Sequence, residues 1–206
     1  MSALERRLGE NPWVKPPPAW PEPPKPTVRE VGLTGPSAPQ RGVWAAEGGL
    51  PVRGGEPAPH GGALGVLGCS GGSGESSLAT ILNGHACAHA WPASGGLVVL
   101  CARTTAIGLQ AAQAALTQWV ARADDAKVPL STEVLGLAFV EDAPGRRPRP
   151  LRDLQRTIGS GAPRVWQIPW IAQWRDDQAR LDTAPRQVKS FVADVQTLLT
   201  QRSRSA

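Results

Sequence analysis

The stretch Gly65–Leu82, GVLGCSGGSGESSLATIL, constrains the fold of this chain more than any other. An apolar run ends at Leu67-Gly68 and reads as a buried strand. A turn of glycine and serine follows, and a helix opens near Ser76-Ser77-Leu78-Ala79. Strand, glycine turn and helix N-terminus together aim backbone N–H groups and the positive end of the helix dipole into the turn. That geometry cradles phosphates. Ser73 is the expected N-cap, and Glu75 in the first turn suits the helix dipole.

Downstream, apolar runs alternate with helical periodicity. Leu97-Val98-Val99-Leu100-Cys101 is continuously apolar, as a strand buried on both faces must be. Leu109, Ala112, Leu116, Trp119 and Val120 share one face of a helix from about Thr105 to Ala123. Val134–Val140 is a third strand. Pro150 opens a helix that Gly159-Ser160-Gly161 stops, and Arg164–Ile168 is a fourth strand. Val188, Phe191, Val192, Val195, Leu198 and Leu199 form the stripe of a C-terminal helix. This alternation predicts an α/β fold, an open and mostly parallel sheet with helices on both faces. Gly84–Gly96 reads as a connecting loop containing His85, Cys87 and His89. No fourth ligand accompanies these three, and no metal is assigned to them.

Residues 1–60 read differently. Seven of the eleven residues from Pro16 to Pro26 are proline, and Pro36, Pro39, Pro51, Pro57 and Pro59 follow. Proline removes backbone donors and fixes φ, so a Pro/Trp-rich disordered arm is expected ahead of a domain at 61–202 and a tail at 203–206. Trp13 and Trp20 lie in the arm. Either they form a short motif that docks on a protein partner, or they fold back onto their own domain.

The net charge is +5 over 206 residues, a balance that permits contact with nucleic acid without pointing to it. Arg146-Arg147-Pro148-Arg149, with Arg152 and Arg156, is a local basic cluster after Glu141-Asp142. It suits a solvated loop paired with nearby acids better than it suits contact with phosphates. Trp166, Trp170 and Trp174 are spaced by four and read as core and docking surface. No apolar run approaches the length of a membrane span, and no membrane association is expected. Three cysteines, an odd count, suit a reducing cytoplasm.

The register Ser70-Gly71-Gly72-Ser73-Gly74-Glu75-Ser76-Ser77-Leu78-Ala79 resembles the phosphate loop of P-loop NTPases in its MinD/ParA-type form, K-G-G-x-G-K-[ST]-[ST]-L-A. The likeness continues through Val98–Thr105, Leu135–Asp142 and Val165–Trp170, about residues 60 to 175. Within that class the loop looks most like that of a family of actinobacterial proteins of unknown function, G-x-H-G-G-x-G-E-S-T-L-A, which implies no established activity. The resemblance implies a P-loop NTPase-like fold with phosphate or nucleotide contacts at Gly71, Gly72, Ser73, Gly74, Glu75, Ser76 and Ser77. Asp142, at a strand end on the side where open α/β sheets bind ligands, is the candidate for a base or magnesium contact.

The chain departs from the pattern at two places. Glu75 and Ser70 occupy the two lysine positions, and neither Leu97–Cys101 nor Gly84–Gly96 holds an acid to serve as the magnesium aspartate. A carboxylate about 4 Å from a phosphate costs roughly 4 kcal/mol at an effective dielectric near 20, where lysine gains a similar amount. No catalytic residue is therefore assigned. The expected function is a binding or regulatory module on a degenerate ParA-like P-loop fold. Two alternatives stay open: a switch ATPase that holds ATP with Mg²⁺ weakly, and a DNA- or plasmid-associated accessory protein using the arginine cluster.

Overall fold

The computed structural model describes residues 49–53, 64–125, 127–175 and 178–205. The expectation of a disordered arm, including Trp13 and Trp20, falls on residues outside the described ones, apart from 49–53.

Among the described residues, five strands form one all-parallel sheet in the order β3-β2-β5-β6-β7. These are β2 (Gly65–Gly68), β3 (His85–Ala86), β5 (Gly96–Arg103), β6 (Thr132–Val140) and β7 (Val165–Ile168). A separate two-stranded parallel pair joins β1 (Val52–Arg53) to β4 (Trp91–Pro92). The helices are α1 (Glu75–Leu82), α2 (Ala106–Asp125), α3 (Arg149–Gly159) and α4 (Arg186–Ser205). Among the described residues no helix is long and apolar enough to cross a membrane.

The two faces of the sheet carry separate cores. Val66, Val99, Cys101 and Ala138 point to one face, where Leu78 and Ile81 of α1 meet Phe191 and Val195 of α4. Leu67, Leu100, Leu137 and Phe139 point to the other, beneath Leu109 and Trp119 of α2 and Ile158 of α3. Strand β6 keeps both patterns only because Leu135 is an extra residue, with the register slipping between Val98/Val134 and Val99/Gly136. Without that bulge every side chain after it faces the wrong core. On the α4 side, Trp166 packs edge-on against Phe191, with ring centroids 5.2 Å apart.

Gly84–Gly96 is more than a connecting loop. His85-Ala86 adds β3 to the edge of the main sheet, and Trp91-Pro92 receives β1. Residues 49–53, within the stretch expected to be arm, are held in place. Gln118 Oε1 accepts from Leu50 N at 2.7 Å, and Gln118 Nε2 donates to Leu50 O at 3.0 Å. The buried Trp91 donates from Nε1 to the same Gln118 Oε1 at 3.1 Å.

The crossover helices place the site. From β2 the chain steps through α1 to β3 on one side, while β5 steps through α2 to β6 on the other. The helices leaving β2 and β5 therefore diverge to opposite faces, and a crevice opens between the carboxyl ends of these two strands. In open α/β sheets this is where ligands bind.

Candidate functional site

The loop 69–74 lies at this crevice. Gly74 is the N-cap of α1 at φ 85°, a left-handed conformation that glycine adopts without strain. As a glycine it brings no side chain to cap the helix. Ser73, the expected cap, is buried, and its Oγ accepts from Cys101 Sγ at 3.6 Å. The hydroxyl is drawn inward because the loop presses on β5, whose Cys101 O accepts from Cys69 N at 2.9 Å.

Glu75, the first residue of α1, is only 6% exposed. Its Oε2 lies 3.1 Å from His89 Nδ1, and its Oε1 accepts from His89 N at 3.3 Å. The same Nδ1 lies 2.9 Å from Gly68 O. Two acceptors around one nitrogen require the proton to sit on Nδ1, which assigns the tautomer. Ala88 (φ 54°) and His89 (φ 56°) are consecutive left-handed residues, and Ala90 N donates to Cys87 O to close the turn. A turn of this kind ordinarily takes Asn-Gly, so the backbone carries roughly 1–2 kcal/mol of strain per residue. Gly68 is needed where this turn closes in: a Cβ there lies 2.4 Å from Ser73 Oγ and 2.7 Å from His89 Nδ1.

Across the loop stands Arg103, the last residue of β5. Its Nη1 donates to Asp142 Oδ1 at 2.9 Å, and its buried Nε has no partner among the described residues. Its guanidinium lies 3.8 Å from where a Cβ on Gly72 would stand. With Gly72, Gly74, Ser77, Trp170 and Trp174 it borders a cavity of about 100 Å³. Gly71 and Ser76 are solvent-exposed.

Beyond Arg103, Glu141 is gripped by both Arg147 nitrogens Nη2 and Nε. Thr104 Oγ1 donates to Glu141 Oε2 at 3.4 Å and accepts from Asp142 N at 3.2 Å. Each of the three carboxylates at this edge is thus engaged: Glu75 by His89, Asp142 by Arg103 and Glu141 by Arg147. The structure brings Gly72, Gly74, Ser77 and, through Arg103, Asp142 together around the crevice. It turns Ser73 and Glu75 away from it.

Cys69, Cys87 and Cys101 are buried. Burial, then the nearby Glu75 carboxylate, pushes the Cys69 thiol up to about 12, and burial likewise holds Cys101 well above the usual thiol range. Among the described residues, no three His, Cys, Asp or Glu side chains gather so as to hold a metal.

His89, Arg103 and Arg147 are absent from the residues the sequence singled out for the loop. Arg103 had one available signal, its position at the carboxyl end of an apolar strand. For His89 there was none, since only the β3–β4 turn carries it back to α1.

Fold and site together define an open, parallel α/β domain with a glycine loop at its topological switch point. The chain belongs to the family of unknown function DUF6668, whose model matches residues 62–192, from just before β2 into α4. No curated protein and no solved structure matches the chain.

Proposed function

We propose that this chain is a binding or regulatory module on a reduced, ParA-like P-loop fold that does not hydrolyse ATP. One observation carries the reading. The carboxylate that stands at the phosphate-binding lysine position is buried and committed to His89, 3.1 Å away. Lysine at that site bridges the outer phosphates and spreads their charge during transfer. Here the position is spent on tying α1 to the β3–β4 turn. Asp142 is likewise committed to Arg103 rather than open to magnesium.

A second reading, a weak nucleotide switch, is favoured by Arg103. Its guanidinium beside Gly72, with an Nε that has no partner among the described residues, offers the loop a cation from another strand. With the loop amides and Ser77 it suits a small anion. Three cysteines, an odd count, all buried, favour a reducing, cytoplasmic setting. The partner expected for the Trp-containing arm is a protein.

Calorimetric titration with Mg-ATP, together with phosphate release, tests both readings. The expected result is no turnover above background and no ATP affinity tighter than roughly millimolar, about 4 kcal/mol. Micromolar ATP binding that disappears in Glu75→Ala overturns the proposal and makes Glu75 part of a nucleotide site.

A further inference from the structure

We infer that the free edge of β7 is a docking site for an extended acidic peptide, taken up as an added parallel or antiparallel strand. Among the described residues, strand β7 ends the main sheet and pairs with β6 alone. Leu137 N donates to Arg164 O at 2.8 Å, and Glu141 N donates to Ile168 O at 2.9 Å. The even-numbered residues of β7 thus turn their backbone groups toward β6. By the two-residue period of a strand, the N–H and C=O of Val165 and Gln167 face the open side. Such a row of unpaired groups is a template for another strand.

The side chains around this edge specify what kind of strand. Val165 and Gln167 are exposed and border a groove of about 460 Å³ between β7 and α3. Phe139 and Gly159 form its apolar floor, and Gln155 Nε2 donates to Gln167 Oε1 at 2.8 Å within it. Arg152 and Arg156 stand on its rim. Asp153 is shared by Arg149 and Arg156, while Arg152 and Arg164 make no ion pair among the described residues. Cations thus outnumber carboxylates along this edge, which complements a strand alternating apolar and acidic side chains. An apolar floor and open backbone groups favour a peptide over nucleic acid, whose charged backbone makes no use of either.

The test uses the full chain and a short labelled peptide alternating valine and glutamate, N-methylated along one edge so that it cannot stack on itself. A valine–lysine peptide of the same design and an oligothymidylate serve as comparisons. The acidic peptide is expected to bind at least about tenfold more tightly than the basic one, with an affinity that falls as salt rises. Val165→Pro removes an outward N–H without touching the β6 ladder and should abolish binding while the thermal midpoint holds. Arg152→Glu with Arg156→Glu, both exposed, should weaken binding by about tenfold and leaves the test standing should the proline variant unfold. Equal binding of both peptides, no binding of the acidic peptide, or retention only of the oligothymidylate overturns the inference.

Discussion

Glu75 and His89 are fourteen positions apart in the chain, yet His89 reaches the Glu75 carboxylate with both its ring and its backbone, Nδ1 to Oε2 at 3.1 Å and N to Oε1 at 3.3 Å. The carboxylate is 6% exposed and the imidazole 43%, so the pair is half screened. His89→Ala leaves a buried carboxylate without its ring partner and should cost about 1–3 kcal/mol in urea unfolding. His89→Gly should recover roughly 1 kcal/mol of that, because glycine relieves the strain at φ 56°. Equal stabilities for the alanine and glycine variants would contradict a strained turn.

Gly68 and Gly71 provide an internal contrast. A Cβ on Gly68 meets Ser73 Oγ at 2.4 Å and His89 Nδ1 at 2.7 Å, whereas among the described residues one on Gly71 meets nothing within 4 Å. Gly68→Ala should destabilise by at least about 2 kcal/mol, and Gly71→Ala should stay within about 0.5 kcal/mol of the parent. Thermal unfolding of the two variants decides it, and a neutral Gly68→Ala would show that the loop yields freely.

Gln118 is the anchor of residues 49–53, bonding Leu50 in both directions and Trp91 Nε1 at 3.1 Å. Gln118→Leu keeps the volume, removes three hydrogen bonds and orphans a buried indole N–H. It should cost about 2–4 kcal/mol. Hydrogen exchange at the Leu50 amide should accelerate more than exchange in β5. Unchanged protection at Leu50 would mean that the β1–β4 pair alone holds the segment.

The buried thiols tie stability to alkaline pH. The ordinary value is 9.0, and Cys69 in the folded chain is raised to about 12, with Cys101 shifted the same way. Between these limits the folded state keeps protons that the unfolded state releases. The stabilisation is therefore whole below about pH 9 and falls as pH rises toward 12, by about 1.4 kcal/mol per pH unit for each such thiol. Urea midpoints from pH 8 to 10.5 should decline, and Cys69→Ala should flatten the decline. At pH 8, thiol labelling of the native protein should be slow and become fast on unfolding. Rapid native labelling would place the thiols at the surface.

The local order of the fold was legible in the sequence. Apolar runs marked β2, β5 and β6, Pro150 marked the start of α3, and Gly159-Ser160-Gly161 marked its end. These signals work because burial on both faces and backbone geometry act within a few consecutive residues. The glycine loop likewise announced a helix N-terminus, and α1 begins one residue before the expected Ser76. Strands β1, β3 and β4 gave no such signal. Two residues each are too few to carry a period, and they form only because a neighbouring strand offers its free edge. The partners of the charged groups were equally hidden. Arg103 meets Asp142 across 39 positions, and Leu50 meets Gln118 across 68. By itself the sequence determined where the longer strands β2, β5, β6 and β7 and the four helices lie, since those choices are settled by neighbours along the chain. The tertiary structure decided that Glu75 turns to His89, that Arg103 stands beside the loop, and that β7 ends the sheet among the described residues. Those outcomes depend on strand order and on the faces chosen by the crossover helices, and both arise from long-range packing.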